Sequence, residues 1–248
     1  RFLGKDVEWC VILDNDDFLD RDFIKEAVNT CLEYSESKII HGQQNFIDED
    51  RKIIKTDKDF PIHESPEDYF ILRCKGKRDI RSSSLFFNLG HFKKIGGYPL
   101  FLSGMGTDNV FIFSLAFDNR LVFSEKAHIY IRIHNKAESL SADNIIEKLA
   151  SVKQMEEYIF NVYKNNPDKK QNNKRRVLEY LKRHSELLIS VLLIRKYRAI
   201  IQNKLKYAIK KTLFQEVHNF CRENRINIPL RYSILESAYI FLRINVEN

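Results

Sequence analysis

Val11-Ile12-Leu13-Asp14-Asn15-Asp16-Asp17-Phe18-Leu19-Asp20 (residues 11–20) runs an apolar stretch directly into a knot of carboxylates. The apolar part reads as the end of a short buried strand, Glu8 to Leu13, and Phe18-Leu19-Asp20 leads toward a helix. Carboxylates this close repel one another unless a cation or a hydrogen-bond network neutralises them. A hard divalent metal takes oxygen ligands and keeps positions open for phosphate oxygens. The stretch therefore points to metal-assisted chemistry on a phosphorylated substrate. The plainer reading is a turn followed by a helix cap, which Asp and Asn also favour. A calcium loop is excluded, because its fifth, sixth and twelfth places counted from Asp14 hold Phe18, Leu19 and Lys25. An aspartyl-phosphate phosphatase fits Asp14 and Asp16 but not Phe18, where a small hydroxyl residue is wanted.

Outward from this stretch, strands and helices alternate. Asp20 to Tyr34 has helical spacing at Phe23, Ala27, Cys31 and Tyr34. Lys38 to Ile47 and Lys52 to Lys55 read as strands joined by Asp48-Glu49-Asp50. Pro66 opens a helix through Leu72. Ser82 to Asn88 reads as an apolar strand, and His91 to Ile95 as a helical turn stopped by Gly96-Gly97. A helix from Thr107 to Asp118 and strands Leu121 to Phe123 and Ile129 to Ile133 complete this part. This α/β alternation predicts a sheet covered by helices. Residues 143–248 read as all helix, with faces set by Leu149, Val152, Met155, Ile159 and Tyr163, by Leu178, Leu181, Leu188 and Leu192, and by Leu205, Ile209, Leu213, Val217 and Phe220. A last helix is expected from Pro229 to about Arg243. The composition break near residue 142 divides the chain into 1–142 and 143–248.

Charge follows the same division. Residues 1–144 hold 20 Lys+Arg against 24 Asp+Glu, whereas residues 145–248 hold 21 against 10. The excess is concentrated in 174–211, with 12 basic and 2 acidic side chains. Such a segment is attracted to anionic lipid headgroups. A solvated helix surface explains it equally well. Nucleic acid is not the expected partner, because zinc-finger spacing and a clear stacking motif are both missing. The 4 cysteines form no C-x-x-C pair, which argues against a zinc site or disulfide scaffold and fits a reducing compartment. A hydrophobic content of 44% supports a real core. The longest strongly apolar segment, Leu187 to Ile194, is far short of a membrane span.

A second cluster carries chemistry. Ser103-Gly104-Met105-Gly106-Thr107-Asp108 sets an acid behind a Gly-rich loop at a helix start. Alone, such an acid is more often a cap than a catalyst. Arg132-Ile133-His134 ends a strand with a cation and an imidazole two residues apart, on one face. Phe92 to Pro99 links the helical turn to the loop before Asp108.

Taken in order, VILDNDDFLD (11–20), SSSLFFNLGHFKKIGGYP (82–99), GMGTDNVFIFSLAFDN (104–119) and IYIRIHNKAESLS (129–141) resemble the family 2 glycosyltransferases, which have the GT-A fold. The resemblance covers about residues 5–141, and the helical part resembles only the variable extensions of such enzymes. It implies a metal-dependent, inverting transfer of a sugar from a nucleotide-sugar donor, a UDP-sugar foremost, to a glycan or lipid-linked acceptor in bacterial polysaccharide biosynthesis. Asp14 and Asp16 match the Asp-x-Asp signature: Asp16 is expected to bind Mn²⁺ or Mg²⁺ and Asp14 to orient the donor. Asp108 matches the acid that deprotonates the acceptor hydroxyl. His134 matches a residue that helps hold the metal or diphosphate, and Arg132 is expected to support the same phosphates. Gly104, Met105 and Gly106 are expected beside the acceptor. Thr107 stands where many members carry an acid. No V-S-V-I-I-P-x-Y-N-like start precedes Asp14, so the family's N-terminal nucleotide-binding part is expected to be lacking, leaving apolar edges that favour a homodimer. The expected location is cytoplasmic, with residues 174–211 resting on the inner membrane face. A non-catalytic, glycosyltransferase-like binding or assembly subunit is the alternative.

Overall fold

The computed structural model of the chain describes residues 7–57, 60–133, 144–168, 171–202, 207–223 and 226. It is a mixed α/β structure built around one curled sheet. The centre of that sheet is β3 (Ile39–Ile47), whose nine residues are all buried. β6 (Leu85–Asn88) lies antiparallel on one side of β3, and β7 (Leu121–Arg132) lies parallel on the other. β1 (Trp9–Cys10) is outermost beside β6, and β2 (Phe18–Leu19) is outermost beside β7. Two short strands complete the sheet: β4 (Ile53–Thr56) pairs β3, and β5 (His63–Glu64) pairs β7.

Because both faces of β3 are covered, its polar residues need internal partners. Gln44 has three: its Nε2 donates to Asp57 Oδ2 at 3.0 Å and to the Asp79 carbonyl at 2.7 Å, while its Oε1 accepts from the Arg81 amide at 2.8 Å. Gly42 is there for space. A Cβ on it would stand 2.2 Å from the Ala127 carbonyl oxygen and 2.7 Å from the Phe23 ring. At this close approach the β3–β7 register shifts between Gly42 and Gln43.

Helices cover both faces. α1 (Phe23–Glu33) places Phe23 and Ala27 in a cluster with Ile40, Val122 and Ile129. α2 (Pro66–Cys74) starts with Pro66 at its first position, and the Ser65 hydroxyl accepts from the Asp68 amide at 3.1 Å. α3 (Leu89–Lys94) is capped by Asn88, whose side chain accepts from the His91 amide at 2.9 Å. α4 (Thr107–Ala116) is buried along almost its whole length in the larger core, with Phe87, Leu85 and Ile39. The helices α5 (Ile145–Lys164), α6 (Gln171–Gln202) and α7 (Tyr207–Glu223) follow. Leu149, Val152, Met155, Ile159 and Tyr163 of α5 are all buried in that same larger core, with Tyr163 edge-on to Phe117 at 5.3 Å. Residue 142 lies outside the described residues, and the apolar cluster runs continuously from the sheet layer into α5 and α6. No helix among the described residues is long and apolar enough to cross a membrane.

Several expected elements differ in extent. The strand expected over Glu8 to Leu13 is only Trp9–Cys10, because the chain then leaves β6 to cross the end of the sheet. Ser82–Ser84, expected as strand, is a 3-10 turn. The two strands expected at 121–123 and 129–133 are one, since β7 continues through the polar Ser124 to Lys126. β2 and β5 are two-residue edge pieces without a hydrophobic period to reveal them. The helix expected from Pro229 lies outside the described residues.

Candidate functional site

Residues 11–17 cross from β1 on one side of the sheet to β2 on the other, past the ends of β3 and β7. These two strands are parallel, and outside the carboxyl ends of parallel strands is where open α/β sheets bind ligands. The Asp17 amide donates to the Asp14 carbonyl at 3.2 Å, so the acid tetrad is a closed turn. Asp14, Asn15 and Asp16 are exposed on it, whereas Asp17 is turned inward. Bonds at both of its ends fix the turn to the scaffold. The Asp14 amide donates to Ser83 Oγ at 3.3 Å, and the Arg132 amide donates to Asp17 Oδ1 at 3.0 Å. Burial raises the Asp17 carboxyl above its ordinary value, and the charges of Asp14 and Asp16 push the same way, against the Arg132 amide and the Ser83 hydroxyl. Like-charge crowding is thus a property of this turn.

Arg132 sits where the turn meets the β3–β4 connection. Its guanidinium donates to the carbonyls of Glu49 at 3.1 Å, Asp16 at 3.4 Å and Asp48 at 3.5 Å. These bonds tie two turns together. His134, the other residue expected here, lies outside the described residues.

Asp108 is the second residue of α4. The loop before it needs glycine at two places: Gly104 has φ +71° and Gly106, the residue preceding the helix, φ +79°. A Cβ on Gly106 would also lie 2.8 Å from Met155 Sδ of α5. The same helix braces the loop by hydrogen bonds. The Leu102 amide donates to Gln154 Oε1 at 3.0 Å, and the Ser103 amide donates to Ser151 Oγ at 2.8 Å. Met105 packs against the larger core. The Tyr98 hydroxyl donates to Asp108 Oδ1.

Tyr98 is itself half-buried beside Asp108. Its phenol is pushed far above its ordinary value, first by burial, then by the charge of Asp108 and the hydrogen bond to it, and also by the charge of Asp14, while Ser82 acts in the opposite sense. The 3-10 turn Ser82–Ser84 meets the acid turn through Ser83, and Ser83 and Ser84 are fully buried. No family model matches the chain, and no curated protein matches it either. The site is therefore read from its own geometry.

That geometry offers oxygen donors to a hard cation on one side and a held carboxylate on the other. Among the described residues, no three His, Cys, Asp or Glu side chains form a group that could hold a metal ion. An all-protein cage is thus not present among them. The donor chemistry still fits Mg²⁺ or Mn²⁺, because such ions at phosphate sites are bound through one or two carboxylates plus the substrate's phosphate oxygens. Two clefts of the molecule lie elsewhere. One runs between α5 and α6, lined by Phe160, Leu178 and Ile189, and another lies beside α1, lined by Thr30, Tyr34, Gln43 and Phe123. Neither is lined by Asp14, Asp16 or Asp108.

Asp17, Ser82, Ser83 and Tyr98 were not singled out by the sequence. Gly96-Gly97, at φ +90° and +84°, was the available signal for Tyr98: a left-handed pair that stops α3 and re-aims the chain just before a Tyr-Pro step. Nothing local marks Ser83, whose role depends on residues 69 positions away.

Proposed function

We propose that this protein is a metal-dependent, inverting glycosyltransferase of the GT-A type. It would move a sugar from a nucleotide-sugar donor, most simply a UDP-sugar, to a glycan or lipid-linked acceptor in polysaccharide biosynthesis. What supports this reading is the exposed acid turn outside the carboxyl ends of the parallel strands β3 and β7, together with a carboxylate, Asp108, held at the start of α4 by Tyr98.

Asp16 would hold Mn²⁺ or Mg²⁺, with His134 as the further ligand the resemblance implies and Asp14 orienting the donor, and such an ion supplies Lewis-acid stabilisation to a leaving diphosphate. Asp108 takes the proton from the acceptor hydroxyl as that oxygen bonds to the anomeric carbon. With Oδ1 held by Tyr98, Oδ2 is the oxygen for that proton. One displacement from the face opposite the diphosphate inverts the anomeric centre. The Gly104–Gly106 loop, whose preceding residues Leu102 and Ser103 are braced on α5, would lie beside the incoming hydroxyl.

Calorimetry of UDP binding with and without Mn²⁺ tests the donor half. Mn²⁺-dependent binding that disappears in Asp16→Ala is the expected result, and donor screening follows. In turnover, Asp108→Asn should lose about 10²–10⁴-fold, the usual weight of general-base catalysis. Turnover unchanged by Asp108→Asn would refute its assignment.

The alternative is a non-catalytic binding or assembly subunit with the same architecture. Such a subunit binds glycan equally well with Asp108 or with Asn in its place.

A further inference from the structure

We propose that the cleft between α1 and the middle of β7 is a second binding site, built for a neutral oligosaccharide. None of Asp14, Asp16 and Asp108 lines it. The inference stands on the geometry of this cleft, whether or not the transferase reading holds.

The cleft exists because β7 bulges. Gly42 of β3 pairs with Ser124, and the next residue, Gln43, pairs with His128. Glu125, Lys126 and Ala127 of β7 therefore stand opposite no residue of β3. Bulges bend a strand, re-aim its side chains and are enriched beside functional sites. Here Glu125 and Lys126 are sent outward and exposed, while the Ala127 carbonyl is pressed onto Gly42. Ser124 and His128, at the two ends of the bulge, both line a space of about 1010 Å³. Small-molecule sites occupy about 300–1,000 Å³, so this one has room for more than a single sugar ring.

Its hydrogen-bonding groups are already oriented. Asn45 Nδ2 lies 3.2 Å from His128 Nδ1. The Thr56 hydroxyl donates to Asn45 Oδ1 at 2.9 Å and fixes that amide. An amide nitrogen only donates, so Nδ1 of His128 accepts and the ring proton is on Nε2. The Thr30 hydroxyl donates to the Glu26 carbonyl at 2.9 Å, so across the 2.7 Å contact between Thr30 and Ser124 the donor is Ser124. Its acceptor positions stay open. Gln43 directs Nε2 to the carbonyls of Asp57 and Gln44, which leaves Oε1 without a donor among the described residues. One donor and two acceptors are thus available along the cleft wall. Sugar hydroxyls, each both donor and acceptor, match that mixture.

Aromatic side chains supply the platform. Tyr34, Phe60 and Phe123 are half-buried in the wall. Buried His41 packs against Phe60 and Phe123 at 4.7 and 5.1 Å and holds them from the protein side. The C–H faces of a pyranose lie on such rings while its hydroxyls reach the polar groups around them. Charge narrows the ligand further. Glu26, Glu33 and Glu125 face Lys126 at this cleft, so phosphate groups are repelled and a nucleotide sugar is the wrong occupant. Packing alone explains the aromatic cluster. It does not explain a strand that bulges to leave a hollow, with oriented polar atoms at both ends of the bulge.

The test uses the whole chain, ¹⁵N-labelled and free of metal and nucleotide, titrated with chitotriose and with maltotriose. With at least one of them, the amides of Gln43, Ser124 and His128 should shift and saturate. Tyr34→Ala should weaken that binding about tenfold, the weight of one aromatic contact, whereas Tyr34→Phe should retain it. Asn29→Trp sets a bulky ring at an exposed position of the wall and should abolish binding. Because it removes no core contact, it decides the matter if Tyr34→Ala does not fold. Shifts confined to residues 104–108 would put the sugar beside Asp108 and overturn the inference. Two sugars that move no amide would overturn it as well, and so would an affinity that Asn29→Trp leaves unchanged. Mn²⁺-dependent UDP binding decides the transferase reading separately, and neither result alters the other.

Discussion

The amide of Arg132 donates to the Asp17 carboxylate at 3.0 Å, joining two residues 115 positions apart at the carboxyl ends of β3 and β7. This bond partly offsets the burial and crowding that raise the Asp17 carboxyl. Removing the charge while keeping the acceptor isolates these effects. A raised folded value means that the protonated form is favoured in the native state. The associated stability is present below the ordinary carboxylate range and is lost as pH rises through the folded value. Asp17→Asn mimics the protonated form, so it should raise the melting temperature at pH 7. The gain should vanish at a pH low enough to protonate Asp17 in both states. A variant less stable than wild type at pH 7 would show that the ionised carboxylate's bonds outweigh its crowding.

Gly104 and Gly106 separate backbone strain from steric clash. Both have positive φ, but a Cβ on Gly104 meets nothing within 4 Å, whereas one on Gly106 meets Met155 Sδ at 2.8 Å. Gly104→Ala should cost about 1–2 kcal/mol, the left-handed penalty alone. Gly106→Ala should cost more in urea unfolding, and Gly106→Ala combined with Met155→Ala should recover part of the difference.

His41 predicts acid sensitivity. Burial, with the Arg78 charge acting the same way, holds its imidazole down to about 3, and the ring packs against Phe60 at 4.7 Å and Phe123 at 5.1 Å. Unfolding frees it to protonate at an ordinary value of about 6.5. Its stability contribution is present above that value and is lost as pH falls from there toward 3, with a slope approaching about 1.4 kcal/mol per pH unit. His41→Leu should flatten the stability profile between pH 6.5 and pH 4, regardless of its effect at neutral pH. An equally steep profile in the variant would assign the acid sensitivity to other groups.

Membrane attraction is testable on α6 itself. Arg175 and Arg176 are both exposed there. Binding to vesicles containing anionic lipid should fall with added salt, as screening requires, and fall further in Arg175→Glu/Arg176→Glu. Vesicle binding that is indifferent to salt would rule out an electrostatic contact.

Much of the architecture was legible because it is local. Pro66 behind Ser65 starts α2, Gly96-Gly97 stops the chain from continuing α3, and the spacing from Leu149 to Tyr163 gives the buried face of α5. Period and capping are properties of neighbouring residues, so sequence displays them. The 3-10 turn at Ser82–Ser84 was not legible, because three serines suit strand and turn alike until the packing of α4 and β3 decides. The acid turn and Asp108 were both visible, each in its own segment. The hydrogen bond from Tyr98 to Asp108 was not, since it depends on how the chain after Gly96-Gly97 packs against the start of α4. Asp17 was hidden by its neighbours: four carboxylates within seven residues look alike until one of them turns inward.

The hydrogen bonds from Leu102 and Ser103 to Gln154 and Ser151 have a practical consequence. The compositional break invites trimming the chain near residue 142 to obtain a minimal α/β unit. Such a fragment would keep every candidate catalytic residue and still release the loop that leads to Asp108, because the struts of that loop are on the discarded side.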